Sequence, residues 1–189
     1  MCAPIDQPPA TLADAIGRAH CWSEDALTMP GRSVLSSVWW LSTHLTAADR
    51  VVHPVAIEAL TDGRARVDEQ RRRAAEIVRL LWTLDHSVSG DARLHSPVSG
   101  VVRRLAAVVR EHAEAEDALV ASLESTLPDA MLGLLHRRYA EMVRRAPTRP
   151  HPVTAGRPRL AAAAFRIEGV VDHVRDVVDG RGAPRRLAG

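Results

Sequence analysis

Apolar residues recur at helical spacing along almost the whole of this chain, and alternating patterns bounded by turn residues are nearly absent. That combination excludes sheet-based folds and predicts an all-α protein. Helix A is expected from about Thr11 to Thr28, ending at the Pro30-Gly31 turn signal. Helix B starts near Ser33, read as its N-cap, and runs to about Leu60, where Asp62-Gly63 breaks the chain. Helix C covers about Arg64 to Asp85 and helix D about Val98 to Ser125, with a Ser-, Gly- and Pro-containing loop from Ser87 to Pro97 between them. Pro128 suits the first turn of helix E, which ends near Arg145. Three prolines between Pro147 and Pro152 then forbid helix, and a last helix, F, is expected over Pro158 to Asp179.

Helices of this length joined by short turns favour an up-down-up-down four-helix bundle for A to D. The expected organisation is a bundle over residues 10–127 and a C-terminal helical extension over 128–189, with a Pro-rich linker at 146–158 and a disordered tail. Composition supports a soluble chain: 46% of the 189 residues are hydrophobic, yet only 3% are aromatic, so the core is built of Ala, Val and Leu. A formal net charge of +2 argues for no nucleic-acid partner, although His136 to Tyr139 and Arg144-Arg145 make one side of helix E basic. No apolar run is long enough to span a bilayer and no signal peptide is visible, so no membrane partner and a cytoplasmic location are expected. Cys2 and Cys21 are too few for a disulfide framework, and Cys21 reads as a free thiol.

Two segments share a frame. Helix B carries His44, Ala47, Asp49 and Val52, and helix D carries His112, Ala115, Asp117 and Val120, at the same spacings. In helix D, the stripe Val98, Val101, Val102, Leu105, Val108, Val109 continues to Leu119 and Leu123, which puts His112 and Glu116 on the inward face. A His and a carboxylate one turn apart can ligate one metal ion together, and a buried carboxylate is costly without a partner. The bland alternative is a hydrogen-bonded core His; the second copy around His44 weighs against it. His20 shares a face with Leu12 and Ile16 and lies about a turn from the level of His44, so it joins only if the intervening hairpin is short.

With these residues in view, the chain resembles hemerythrin-like proteins of the HHE cation-binding type, in their actinobacterial branch. His44 to Pro54 is similar to a family motif of the form His-Glu-Thr-Ala-Glu-Glu-x-Val-Val-His-Pro, and His112-Ala-Glu-Ala-Glu116-Asp117 to the second His-x-x-x-Glu. Pro147 to Pro152, Val170 to Asp176 and Gly180-Arg181 are similar to the C-terminal extension of that branch. The resemblance implies a non-haem di-iron centre that binds oxygen or handles nitric oxide and peroxide, with His44, His112 and Glu116 at ligand positions.

The departures from that pattern are large. Ala48 stands where helix B should supply a bridging Glu, and Asp49 is one residue, about 100°, further round. Glu69 to Arg73 offers no His where helix C should supply one; Arg71 or Arg72 turned inward would repel a second cation; His86 lies too far along to help. His53 lies nine residues after His44, on the opposite side of helix B and at the surface, with Pro54 kinking the helix near Arg50. Trp39, Trp40 and Trp82 are expected in the core or at its edge. The expected metal ligands are therefore His44, His112, Glu116 and His20, holding iron as one ion rather than two. The expected function is binding or sensing of oxygen, iron or reactive species through a reduced site, with a diatomic ligand as possible partner and helix F available for a protein partner or self-association. The alternative is a metal-free interaction or structural module of the same fold. A single-metal enzyme is a third possibility for which no residue names a substrate.

Overall fold

A computed structural model describes residues 8–28, 34–90 and 95–148. Among the described residues the chain is all helical, without strands. The expected helix F and the rest of the extension, residues 149–189, lie outside them. The described residues form six α-helices: α1 (Leu12–Thr28), α2 (Val34–Ala47), α3 (His53–Ala59), α4 (Gly63–Gly90), α5 (His95–Thr126) and α6 (Asp129–Arg145). The loop expected from Ser87 to Pro97 is largely helix, since α4 continues to Gly90 and α5 begins at His95. Pro97 fits there because the first turn of a helix needs no N–H from it.

The termini follow from local chemistry. Thr11 and Asp14 cap α1 reciprocally: the Thr11 amide donates to the Asp14 carboxylate and the Asp14 amide to the Thr11 hydroxyl, both at 3.1 Å. Pro128 is the N-cap of α6, one residue before the position expected for it. Gly63 opens α4 beneath α3, and a Cβ there would sit 1.9 Å from the Ala56 carbonyl oxygen, so only glycine lets the two helices meet.

Helix B is interrupted. Between α2 and α3, residues Ala48–Val52 form a π turn, in which the His53 amide donates to the Ala48 carbonyl five residues back. Pro54 explains why: it has no N–H to offer an α-helical partner, and the wider turn absorbs the gap. The extra residue rotates everything after it by about 100° relative to a straight helix. His53 is thereby moved from the opposite side of the helix to about 80° from His44. It is buried, which corrects its expected surface placement.

Two apolar clusters make the core. One contains Leu12, Ile16, Val52, Val67, Leu119, Leu123 and Leu135; the other contains Leu27, Val38, Leu41, Ile77, Leu81, Leu105 and Val109. Going along the chain, α1 passes from the first to the second, α2 from the second to the first, α4 as α1 does, and α5 as α2 does. α1 lies against α2 and α5, and α4 against α5 and α3. α6 lies across α2, the π turn and α1.

Trp22, Trp39 and Trp40 stack together, with centroids 4.4 Å apart for Trp22 and Trp40 and 4.7 Å for Trp39 and Trp40. Trp82, expected in the core or at its edge, is 43% exposed on α4 and so is not a core residue. Cys21 is disulfide-bonded and not the free thiol its sequence context suggested. No helix among the described residues is long and apolar enough to cross a membrane.

Candidate metal centre

Between the two apolar clusters, α1, α2 and α5 each turn polar side chains inward. His20, His44, His112 and Glu116 are all buried there, and their potential ligand atoms lie within 4.8 Å of one another. The structure thus brings together all four residues singled out as candidate ligands. His20, expected a turn away, is in direct contact: its Nε2 lies 3.2 Å from His44 Nε2.

Three imidazole nitrogens converge on one carboxylate oxygen. Glu116 Oε2 lies 2.9 Å from His20 Nε2, 2.8 Å from His44 Nε2 and 3.4 Å from His112 Nε2. An ionised carboxylate only accepts hydrogen bonds. His20 and His44 therefore both carry a proton on Nε2 and donate it to Glu116. On its other side, His20 Nδ1 lies 3.3 Å from the Asp117 carboxylate, an ion-pair contact longer than a good hydrogen bond. With an acceptor-only group beside each ring nitrogen, His20 is an imidazolium. Burial pulls its pKa down most strongly, but Asp117 and Glu116 together outweigh burial and raise it to about 9.

His44 goes the other way. Burial lowers its pKa more than Glu116 restores it, and the neighbouring His20 and His112 lower it further, so it is neutral. Burial pushes the Glu116 carboxyl up, yet the imidazoles of His44, His112 and His20 more than offset this and hold it well below the usual range. The three imidazoles cannot all be charged at such spacing. The charge rests on His20, the one flanked by two carboxylates. The unpaired charges of a metal-free centre are thus reduced to one buried ion pair.

Several atoms nonetheless have no partner. Both ring nitrogens of His112 and the second oxygen of Glu116 are buried without a hydrogen bond. Leaving such atoms unmatched costs about 1–3 kcal/mol each. A cation at the point where His20, His44, His112 and Glu116 meet would engage His112 Nε2 and the carboxylate. The spacings suit one: donors at about 2.1 Å around a tetrahedral ion lie about 3.4 Å apart.

The groups around this cluster are mostly apolar or already paired. Ala48, in the π turn, offers no donor, and Gln70 is buried on α4 with its amide donating to the His112 carbonyl at 3.4 Å. Asp49 is committed elsewhere. It accepts from Arg71 Nε at 2.8 Å and pairs with His53 Nδ1 at 3.3 Å. Arg71 is therefore neutralised at the flank of the π turn, and Arg72 is exposed and paired with Glu69. His86 lies within α4, but its side chain is outside the described set.

Burial alone would raise the Asp49 carboxyl, but His53 and Arg71 hold it down to about 2, against an ordinary 3.8. A depressed carboxylate contributes stability that is present above its unfolded value and lost as pH falls through its folded value. Asp49 is 38% exposed, so solvent screening leaves the contribution at about 1 kcal/mol. Acid titration of the unfolding free energy should show wild type losing about 1 kcal/mol more than Asp49→Asn between about pH 5 and 2. Identical slopes for the two proteins would mean that this ion pair contributes nothing to stability.

Sequence reasoning missed two members of the site. Tyr139, the chain's one tyrosine, reaches in from α6 and places its hydroxyl 2.7 Å from His44 Nδ1. Its position four residues after the buried Leu135 was the available signal. Asp117 was visible as the shared Asp of the repeated frame, without its role as the outer partner of His20. No protein-family model, curated protein or solved structure matches the chain.

Proposed function

We propose that this protein binds one transition-metal ion, non-haem iron, at His20, His44, His112 and Glu116 within a hemerythrin-like four-helix bundle. The observation that carries the reading is the convergence of three imidazole nitrogens and one carboxylate in the core, with both His112 nitrogens and one Glu116 oxygen lacking any other partner. Three nitrogens and one oxygen suit iron, zinc, copper or nickel. The hemerythrin resemblance selects iron among these, and the alternating passage of α1, α2, α4 and α5 between the two apolar clusters supports the antiparallel bundle. When bound, the ion supplies reversible ligation of a small diatomic molecule or one-electron exchange.

The chain's own residues set the terms. Glu116 gives the ion its one anionic donor. Asp117 orients His20 and keeps its Nδ1 protonated, so only Nε2 faces the centre. The surrounding Leu, Val and Ile side chains exclude water, which favours an uncharged diatomic ligand over an anion. A second ion meets a poorer donor set, because Ala48 is apolar and Asp49 is held by Arg71.

A metal-free interaction module remains the second reading, and one observation favours it. Protons already link His20, Glu116, His44 and Tyr139 into a network that satisfies most of its polar atoms without an ion. Anaerobic loading with iron(II), followed by nitric oxide, separates the two. The iron reading predicts an electron paramagnetic resonance signal from a ferrous nitrosyl at one equivalent per chain. A protein that retains no iron(II) and gives no signal, at any loading, leaves the module.

A further inference from the structure

Each of the three histidines faces its outer side differently. His20 Nδ1 looks at a carboxylate, His112 Nδ1 at no hydrogen-bonding group, and His44 Nδ1 at a phenol. The difference matters because a metal and a proton compete for the same nitrogen. A carboxylate can only accept, so Asp117 permits one arrangement of the His20 outer edge. A hydroxyl both donates and accepts. The Tyr139 hydroxyl is the one outer partner here able to serve His44 in two tautomers.

We infer that Tyr139 acts as a reversible outer partner that lets His44 change tautomer when the ion enters. This rests on the metal-binding reading above. In the metal-free protein, His44 Nε2–H donates to Glu116 at 2.8 Å. A neutral imidazole then has a bare Nδ1, and the Tyr139 O–H donates to it at 2.7 Å. An ion at Nε2 requires the opposite tautomer. The entering ion displaces the Nε2 proton to solvent and Nδ1 takes one up from solvent, so the imidazole's charge is unchanged. Nδ1–H then donates to the Tyr139 oxygen, and the hydroxyl turns from donor to acceptor. Neither state leaves the buried Nδ1 without a partner. Without the ion, burial first and Glu116 second raise the pKa of the phenol well above the ordinary value.

Tyr139 is therefore a positioning residue, and it gives α6 a reason to lie across α2. The segment after α5 completes the centre from outside the helices that carry its ligands.

Tyr139→Phe keeps the ring and removes only the hydroxyl. Zinc(II) is the probe, being diamagnetic and suited to the same donors. Long-range proton–nitrogen spectra of histidine-labelled full-length protein should show His44 protonated at Nε2 without zinc and at Nδ1 with it. Loss of an outer partner of a ligating histidine costs about 10–100-fold in affinity, and Tyr139→Phe should show that loss. Without zinc, it should also mix the two His44 tautomers. Met142→Ala is the control for general loosening, because Met142 packs from the same helix against the same apolar cluster. It should lower the unfolding midpoint and leave zinc affinity unchanged. Wild-type zinc affinity in Tyr139→Phe, or an equal loss in Met142→Ala, overturns the role of Tyr139 alone. A wild-type chain that binds no metal overturns this inference together with the metal-binding reading.

Discussion

His112→Leu should leave the metal-free protein as stable as wild type, or more so, while abolishing metal binding. In the metal-free state His112 is fully buried and neither ring nitrogen has a hydrogen bond; its Nε2 keeps only a 3.4 Å ion-pair contact with Glu116. Exchanging such a group for an apolar one of similar size removes a penalty of about 1–3 kcal/mol and keeps the packing. The gain offsets the loss of fit and of the long contact with Glu116, so the unfolding free energy should stay level or rise by about 1 kcal/mol. The ligand, however, is gone. Affinity should fall by more than the roughly 10–100-fold that removal of an outer partner costs. At metal concentrations about 1,000 times the dissociation constant, wild type gains about 4 kcal/mol from binding. The order of stabilities then inverts: the variant is the more stable without metal and the less stable with it. Denaturant unfolding with and without metal reads both halves. A variant several kcal/mol weaker without metal would make His112 an ordinary core residue.

Glu116→Gln should have the largest effect on the fold itself. The carboxylate faces three imidazoles, and its charge is half of the buried ion pair with His20. Removing one partner of a buried pair costs about 3–5 kcal/mol, because the other charge is stranded. His20 limits the loss by releasing its proton, which Asp117 alone holds less firmly. The pH dependence carries the sign. A histidine with a raised pKa contributes stability that is complete below its unfolded value of 6.5 and disappears as pH rises through about 9. The gap between wild type and Glu116→Gln should therefore be widest near and below pH 6.5 and should narrow above about pH 9. A gap that does not change across this range would mean His20 carries no charge at neutral pH.

Much of this site was legible in the sequence because all four candidate ligands sit on regular helices. The apolar stripe of α5 fixed the direction of His112 and Glu116, and the repeated frame marked His44. His20 was harder. Its level depends on how α1 and α2 are joined, and apolar periodicity says nothing about the height of one helix against another. His53 was misplaced for a specific reason: counting residues at 100° assumes an unbroken α-helix, and the π turn at Ala48–Val52 adds one residue to that count. Pro54 signalled the disturbance but not its form, since a missing N–H can be answered by a kink or by a wider turn. Tyr139 and Gln70 lie on helices whose own patterns point inward without saying toward what. The helical class needed only periodicity; the outer partners needed distances.

The proposed centre holds a single metal ion between three histidines and one glutamate. Its most direct test is the metal content of the full-length chain after loading with iron(II) and removal of excess, for wild type and His112→Leu side by side. One iron per wild-type chain and none in the variant is the predicted result. Two irons per chain, or equal retention by both proteins, would contradict it.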